Sequence, residues 1–152
     1  IGSDLGTVED VGFRSTRLRT LARTVVTIPN GIVAAGRVES FSARDRILFN
    51  PTIGLVYETR AAQVRAIRDG IKRLLATHPR VHQPDHRVRF RSFGDSALNL
   101  EVLCWVATKD FEKYLEVAEE LNFAIAELVE REGSSFAFPT RTVVLQGATS
   151  HV

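Results

Sequence analysis

Along the first forty residues, apolar and polar positions alternate in short runs punctuated by glycine and proline. Gly6 and Gly12 bracket a run over residues 7–11. Residues 13–21 then alternate, with Arg14, Thr16, Leu18 and Thr20 on one face and Phe13, Ser15, Arg17, Arg19 and Leu21 on the other. A β-branched run over residues 24–28 stops at Pro29, which cannot donate to a sheet ladder. Asn30 is placed to cap one short helical turn over residues 32–35, Gly36 ends that turn, and residues 37–41 resume as a strand. These short strands predict a small, all-β, barrel-like unit.

From Arg46 onward the period changes. Residues 47–57 read as a strand bent at Asn50-Pro51. Thr59 then opens a helix whose Val64, Ile67, Ile71, Leu74 and Leu75 form one stripe, and Pro79 ends it. Residues 87–93 and 98–108 are two strands around Gly94-Asp95-Ser96. A second long helix begins near Asp110, places Phe111, Tyr114, Leu115, Ala118, Leu121, Ile125 and Leu128 on one side, and stops at Gly133. A β-branched run over residues 140–145 completes the order strand, helix, strand, strand, helix, strand. That order predicts a split βαβ, ferredoxin-like sandwich, so the chain as a whole reads as α+β.

The central hairpin permits a register prediction. If facing residues have numbers that sum to 190, Val88 meets Val102, Phe90 meets Leu100, Arg91 meets Asn99, and Arg89 forms a charge pair with Glu101. A slip of one residue would set Phe90 against Glu101.

The composition, 152 residues with 44% hydrophobic and 25% charged, excludes a disordered or collagen-like chain and allows a core without disulfides. A single cysteine, Cys104, agrees with a reducing compartment. The net charge of +2 conceals two opposed halves: residues 1–91 carry sixteen Lys+Arg against eight Asp+Glu, and residues 92–152 carry four against ten. The longest uncharged stretch, residues 24–36, has thirteen residues and contains Pro29, Asn30 and two glycines, too short and too broken to span a bilayer. No secretory leader is legible, and a chain without methionine reads as a piece of a longer or processed polypeptide.

Catalytic chemistry finds little support. His78, His82 and His86 lie four apart beside Asp85, but Pro79 and Pro84 break the helix that would align them for a metal, and a solvated loop accounts for them better. Cys104 sits within an apolar strand and reads as a buried, inert thiol. Hydrolase elbows and phosphate loops are missing, Asp95-Ser96 reads as a hairpin turn, and Glu112, Glu116, Glu119, Glu120, Glu127 and Glu130 as a solvated helix face. No enzyme, cofactor or metal is expected. The arginines carry more: Arg14, Arg17, Arg19 and Arg23 cluster, and Arg87, Arg89 and Arg91 alternate beside Phe90 and Phe93. They leave an RNA-binding module as the alternative reading, although the aromatic signature of an RRM is absent and the acidic second half repels phosphate. A small-molecule sensing domain is a third reading, without pocket residues to support it.

Several blocks nevertheless resemble one family in collinear order. They are Gly6-Thr7-Val8-Glu9-Asp10-Val11-Gly12, Arg14-Ser15-Thr16-Arg17-Leu18-Arg19-Thr20, Val26-Thr27-Ile28-Pro29-Asn30-Gly31, Phe41-Ser42 with Arg44-Asp45, Thr52-Ile53-Gly54-Leu55-Val56-Tyr57, Phe93-Gly94-Asp95-Ser96-Ala97-Leu98-Asn99 and Phe136-Ala137-Phe138-Pro139-Thr140-Arg141-Thr142-Val143. Together they resemble the cytoplasmic region of the small-conductance mechanosensitive ion channel (MscS) family. The resemblance implies an Sm-like β domain, incomplete at its N-terminus, over residues 1–45, a ferredoxin-like α/β domain over residues 46–138, and a C-terminal strand and tail over residues 139–152. It implies a cytoplasmic cage of identical subunits, usually a heptamer, attached to an inner-membrane pore by upstream helices. Ions and small solutes leave through that cage when tension opens the pore under hypo-osmotic stress, and no nucleic acid is expected. On this resemblance the candidate assembly or vestibule residues are Arg17, Arg19, Pro29, Asn30, Phe41, Arg44, Arg89, Glu101, Pro139, Val143 and Leu145. Two departures are visible. Ala22-Arg23 stands where the family often has an Asp-Gly type turn, and the last strand belongs to the ferredoxin-like sheet by pattern but to an inter-subunit barrel by resemblance.

Overall fold

The computed structural model describes residues 5–140. The chain divides into two compact units, with the division between Arg44 and Asp45.

The first unit is an antiparallel sheet of β1 (Gly6–Val11), β2 (Ser15–Thr20) and β3 (Val25–Pro29), in that order, followed by a short helix α1 (Asn30–Ala35). The alternation predicted for β2 is visible in burial, because Thr16 and Leu18 point inward, Thr16 opposite the buried Ile28 of β3. Glu9 bulges out of the β1–β2 register, between the pairs Val8–Leu18 and Asp10–Arg17. The β2–β3 loop closes through the amide of Thr20 on the carbonyl of Thr24 at 2.9 Å, with Arg23 at φ 66°, the left-handed position that glycine fills in such loops.

Two expectations fail in this unit. Pro29, not Asn30, stands at the N-cap of α1, and no side chain caps it. The amide of Asn30 is used elsewhere: its Oδ1 accepts from Thr16 Oγ1 at 2.9 Å and its Nδ2 donates to the carbonyl of Gly12 at 2.8 Å. A side chain that ties a hairpin turn to a buried hydroxyl is not free to fold back on its own helix. Residues 37–40 are irregular and exposed, not a strand, and Phe41–Ala43 is a single 3-10 turn.

The second unit follows the split βαβ order. β4 (Ile47–Phe49) and β5 (Thr52–Leu55) are two halves of the predicted strand, separated at Asn50-Pro51, and both pair antiparallel with one edge of β7 (Leu98–Val106). β6 (Arg87–Phe93) pairs with the other edge of β7. The helices α2 (Ala61–Thr77) and α3 (Phe111–Arg131) pack against this sheet and against each other, α2 against β6 and α3 against β4. Strict alternation makes β7 the spine of the core: Leu100, Val102, Cys104 and Val106 are fully buried, beneath Ile67, Ile71 and Leu75 of α2 and Val117, Leu121 and Ile125 of α3. The helices approach closely at Gly70, where a Cβ would come within 2.8 Å of both methyl carbons of Leu128.

The ends of the two helices are held by shared groups. Gln63 Oε1 accepts from the amide of Arg60 at the start of α2, and its Nε2 donates to the carbonyls of Glu132 and Gly133 beyond α3, at 2.8 and 3.1 Å. Thr59 does not open the helix as expected; it is buried, donates to the carbonyl of Val56 at 2.6 Å, and shares a hydrogen bond with Ser134. Gly133, at φ 69°, donates to the carbonyl of Glu130 and Ser134 donates to that of Val129, the paired bonds of a Schellman motif. The chain then runs back beside β5: Val56 donates to the carbonyl of Ser135, Ala137 to that of Gly54, and Phe136 bridges Leu55. Of the last strand expected over residues 140–145, residues 141–145 lie outside the described residues.

Burial also corrects the stripe on α3. Phe111 and Leu115 are exposed, while Val117 and Val129, absent from the predicted face, are fully buried. The stripe drawn from sequence follows the larger side chains instead of the helix's contact with the sheet.

Candidate assembly and vestibule surfaces

The candidate residues fall into separate groups. Within the first unit, Arg17 is exposed on β2 opposite Asp10 and Thr27. Arg19 is engaged: its guanidinium forms an ion pair with Glu9 and Nη1 donates to the carbonyl of Arg23 at 3.0 Å. The hydrogen bond from Arg19 holds the Glu9 carboxyl below the usual glutamate range. The bulge in β1 makes this contact available by letting Glu9 leave the ladder. Pro29 closes β3 opposite Ser15, and Asn30 buckles the carbonyl of Gly12 to the hydroxyl of Thr16. Phe41 lies beneath the guanidinium of Arg44, 5.6 Å from ring centre to Cζ, a cation–π contact. Most large apolar side chains here are uncovered, among them Val8, Val11, Phe13, Leu21 and Ile32.

In the second unit, the predicted register holds from Arg87 to Phe90, so Arg89 faces Glu101 and Phe90 faces Leu100. It then slips by one at Arg91, which places Ser92, not Arg91, opposite Asn99. The displaced Arg91 takes the ion pair with Glu101 that was expected of Arg89. Pro139 is exposed, and Val143 and Leu145 lie outside the described residues. With Arg19 and Arg91 held by carboxylates, the arginine-bearing strands offer less free charge to phosphate than their sequence suggests.

The histidines take different partners. His78, just beyond α2, lies 3.3 Å from Glu120 of α3, and Arg80 binds the same carboxylate. His82 accepts from Arg46 at 3.1 Å. Cys104 is fully buried and its thiol is pushed up to about 11 by desolvation, so it is protonated and unreactive at neutral pH.

An open groove of about 420 Å³ lies between α2 and the ends of β6 and β7, lined by Tyr57, Val64, Arg65, Arg68, Phe90 and Phe93 among others. Phe90 and Phe93 meet edge to face at 5.0 Å, and the Tyr57 hydroxyl donates to the carbonyl of Gly94. No sequence signal marks this groove, because its lining comes from three distant segments.

Comparison with known proteins places these units. Residues 49–136 match the family described as mechanosensitive ion channel MscS, C-terminal, and residues 1–43 match the mechanosensitive ion channel beta-domain. The chain belongs to the MscS family. That family is one of ion channels and not of enzymes. Over 141 residues the chain is 41% identical to the small-conductance mechanosensitive channel MscMJ of Methanocaldococcus jannaschii, a match that covers 93% of this chain and 40% of that protein. It is also 41% identical over 143 residues to an uncharacterized MscS family protein of Aquifex aeolicus, covering 93% of this chain and 39% of the relative. The crystal structure of Helicobacter pylori MscS in a closed state has the same fold, with a TM-score of 0.79 at 20% identity, over 94% of this chain and 55% of that one. This MscS chain thus spans about 40% of the length of these two curated relatives. No helix among the described residues is long and apolar enough to cross a membrane.

Proposed function

We propose that this chain forms the water-facing cage of a mechanosensitive channel built from identical subunits, a heptamer by resemblance to the family, on the cytoplasmic side of the inner membrane. Tension on the membrane opens the pore, and ions and small solutes pass through the cage, relieving hypo-osmotic stress. The observation that carries this reading is the match of both units, in order, to the two MscS family models. The uncovered apolar side chains of the first unit support it, since neighbouring subunits would bury them.

On this reading Arg17 and Arg89, exposed and without an ion pair among the described residues, act through their field on the ions near the cage wall. Patch recordings of the full-length channel in cells lacking other mechanosensitive channels test both levels. The expected result is a tension-activated current whose ion preference changes in Arg17→Glu or Arg89→Glu while the threshold stays nearly constant. A full-length protein that passes no current under tension overturns the channel reading. Unchanged preference in both variants removes the role given to the two arginines.

A further inference from the structure

The groove beside α2 has a counterpart on α3 of the same unit. Phe123 stands out from α3 with 63% of its surface exposed, and Glu119 and Glu127, one turn before and after it, are exposed and make no ion pair among the described residues. The groove is the chemical complement of this ridge. Its walls are aromatic, with Phe93 73% exposed, and its lining includes Arg65 and Arg68 but no carboxylate. Arg65 makes no ion pair among the described residues, and Arg68 shares its charge with Asp69 at 2.8 Å.

The two surfaces face away from each other. The helices touch at Gly70 and Leu128. At 3.6 residues per turn, Arg68 stands about 160° around α2 from Gly70, and Phe123 about 140° around α3 from Leu128. Phe123 thus stands opposite the buried face of α3, and Arg68 on the side of α2 turned away from α3, so the ridge does not meet the groove of its own chain and would enter that of another copy. Contact between two different patches is heterologous, the kind that closes into a ring when the rotation permits.

We infer that the Glu119–Phe123–Glu127 ridge of one subunit seats in the Tyr57–Phe90–Phe93 groove of its neighbour, with Arg65 and Arg68 meeting the two glutamates. This rests on the reading of the chain as a subunit of a homo-oligomer. Phe123 is the buried aromatic anchor of the contact and the charge pairs set its direction. A stable interface buries about 1,200–2,000 Å², so the ridge and groove form its centre and further surface contributes around it.

Cysteine cross-linking of the full-length protein in its native membrane tests the contact, with Cys104→Ser and any cysteine outside this chain replaced. Phe93→Cys combined with Phe123→Cys is expected to give a ladder of disulfide-linked subunits, at least tenfold above either single variant, because like residues do not meet in a heterologous contact. Arg65→Glu with Arg68→Glu is expected to reduce the assembled fraction, and adding Glu119→Arg with Glu127→Arg to restore it. An intact oligomer in which the two introduced thiols of the double variant stay reduced overturns the contact and leaves the cage reading standing. Cross-linking by either single variant overturns the heterologous geometry. A protein monomeric in the membrane overturns both the contact and the reading beneath it.

Discussion

Arg91, and not Arg89, holds the carboxylate of Glu101. The register sets Arg89 opposite Glu101, but the slip at Arg91 swings the next arginine onto the same carboxylate. Both side chains of the ion pair reach solvent, so it is worth about 0.2–1 kcal/mol and weakens with salt. Double-mutant cycles by urea unfolding are expected to show coupling of that size between Arg91 and Glu101, reduced in high salt, and almost none between Arg89 and Glu101.

Asn30 joins the β1–β2 turn to the start of α1 through both atoms of its amide. Its removal leaves the hydroxyl of Thr16, a buried residue, without its acceptor, and an orphaned buried polar group costs about 1–3 kcal/mol. Asn30→Ala is expected to lower stability within that range. Asn30→Asp, which keeps the acceptor for Thr16 but sets a carboxylate oxygen against the carbonyl of Gly12, is expected to lose stability as well. Equal stability of all three proteins would show that the buckle contributes nothing.

Arg23 occupies a left-handed backbone position, which costs a residue with a Cβ about 1–2 kcal/mol, whereas glycine in place of another residue gives up about 0.5–1 kcal/mol of chain entropy. The first effect is larger. Arg23→Gly is expected to raise stability by about 0.5–1 kcal/mol, read from the urea midpoint, and its carbonyl remains available to Arg19.

Glu120 is held below the ordinary glutamate value of 4.5, first by its hydrogen bond from Arg80 and then by that from His78. A carboxylate whose folded value is depressed contributes stability that is complete above its unfolded value and is lost as the pH falls through the folded one. The stability of the wild type is therefore expected to decline as the pH drops below 4.5, and Glu120→Gln to flatten part of that decline. Urea midpoints measured from neutral pH down into the acid range test this; parallel curves would rule it out.

The elements of the second unit were legible because a single period governed each: strict alternation in β7 and a helical stripe in α2. The register of the hairpin was legible as far as Phe90 for the same reason, since apolar had to meet apolar. What escaped was set by tertiary contacts. A bulge at Arg91 has no local signature, Asn30 and Thr59 found partners better placed than the helices they precede, and α3 turned Val117 and Val129 inward in place of the larger Phe111 and Leu115. Residues 37–40 are β-branched only at Val38 and make no strand. The groove beside α2 was invisible because Tyr57, Phe90 and Arg65 belong to different segments that only the fold assembles.

Gln63 couples two places that are distant along the chain. A helix ordinarily frays at each end by itself, but here the first turn of α2 and the chain just beyond α3 share one side-chain amide across roughly seventy residues of chain. Opening either end removes a partner from the other, so the two should open as one cooperative unit. In hydrogen exchange the two ends are expected to show matching protection in the wild type, and Gln63→Ala to speed the amides at both and let their protection differ.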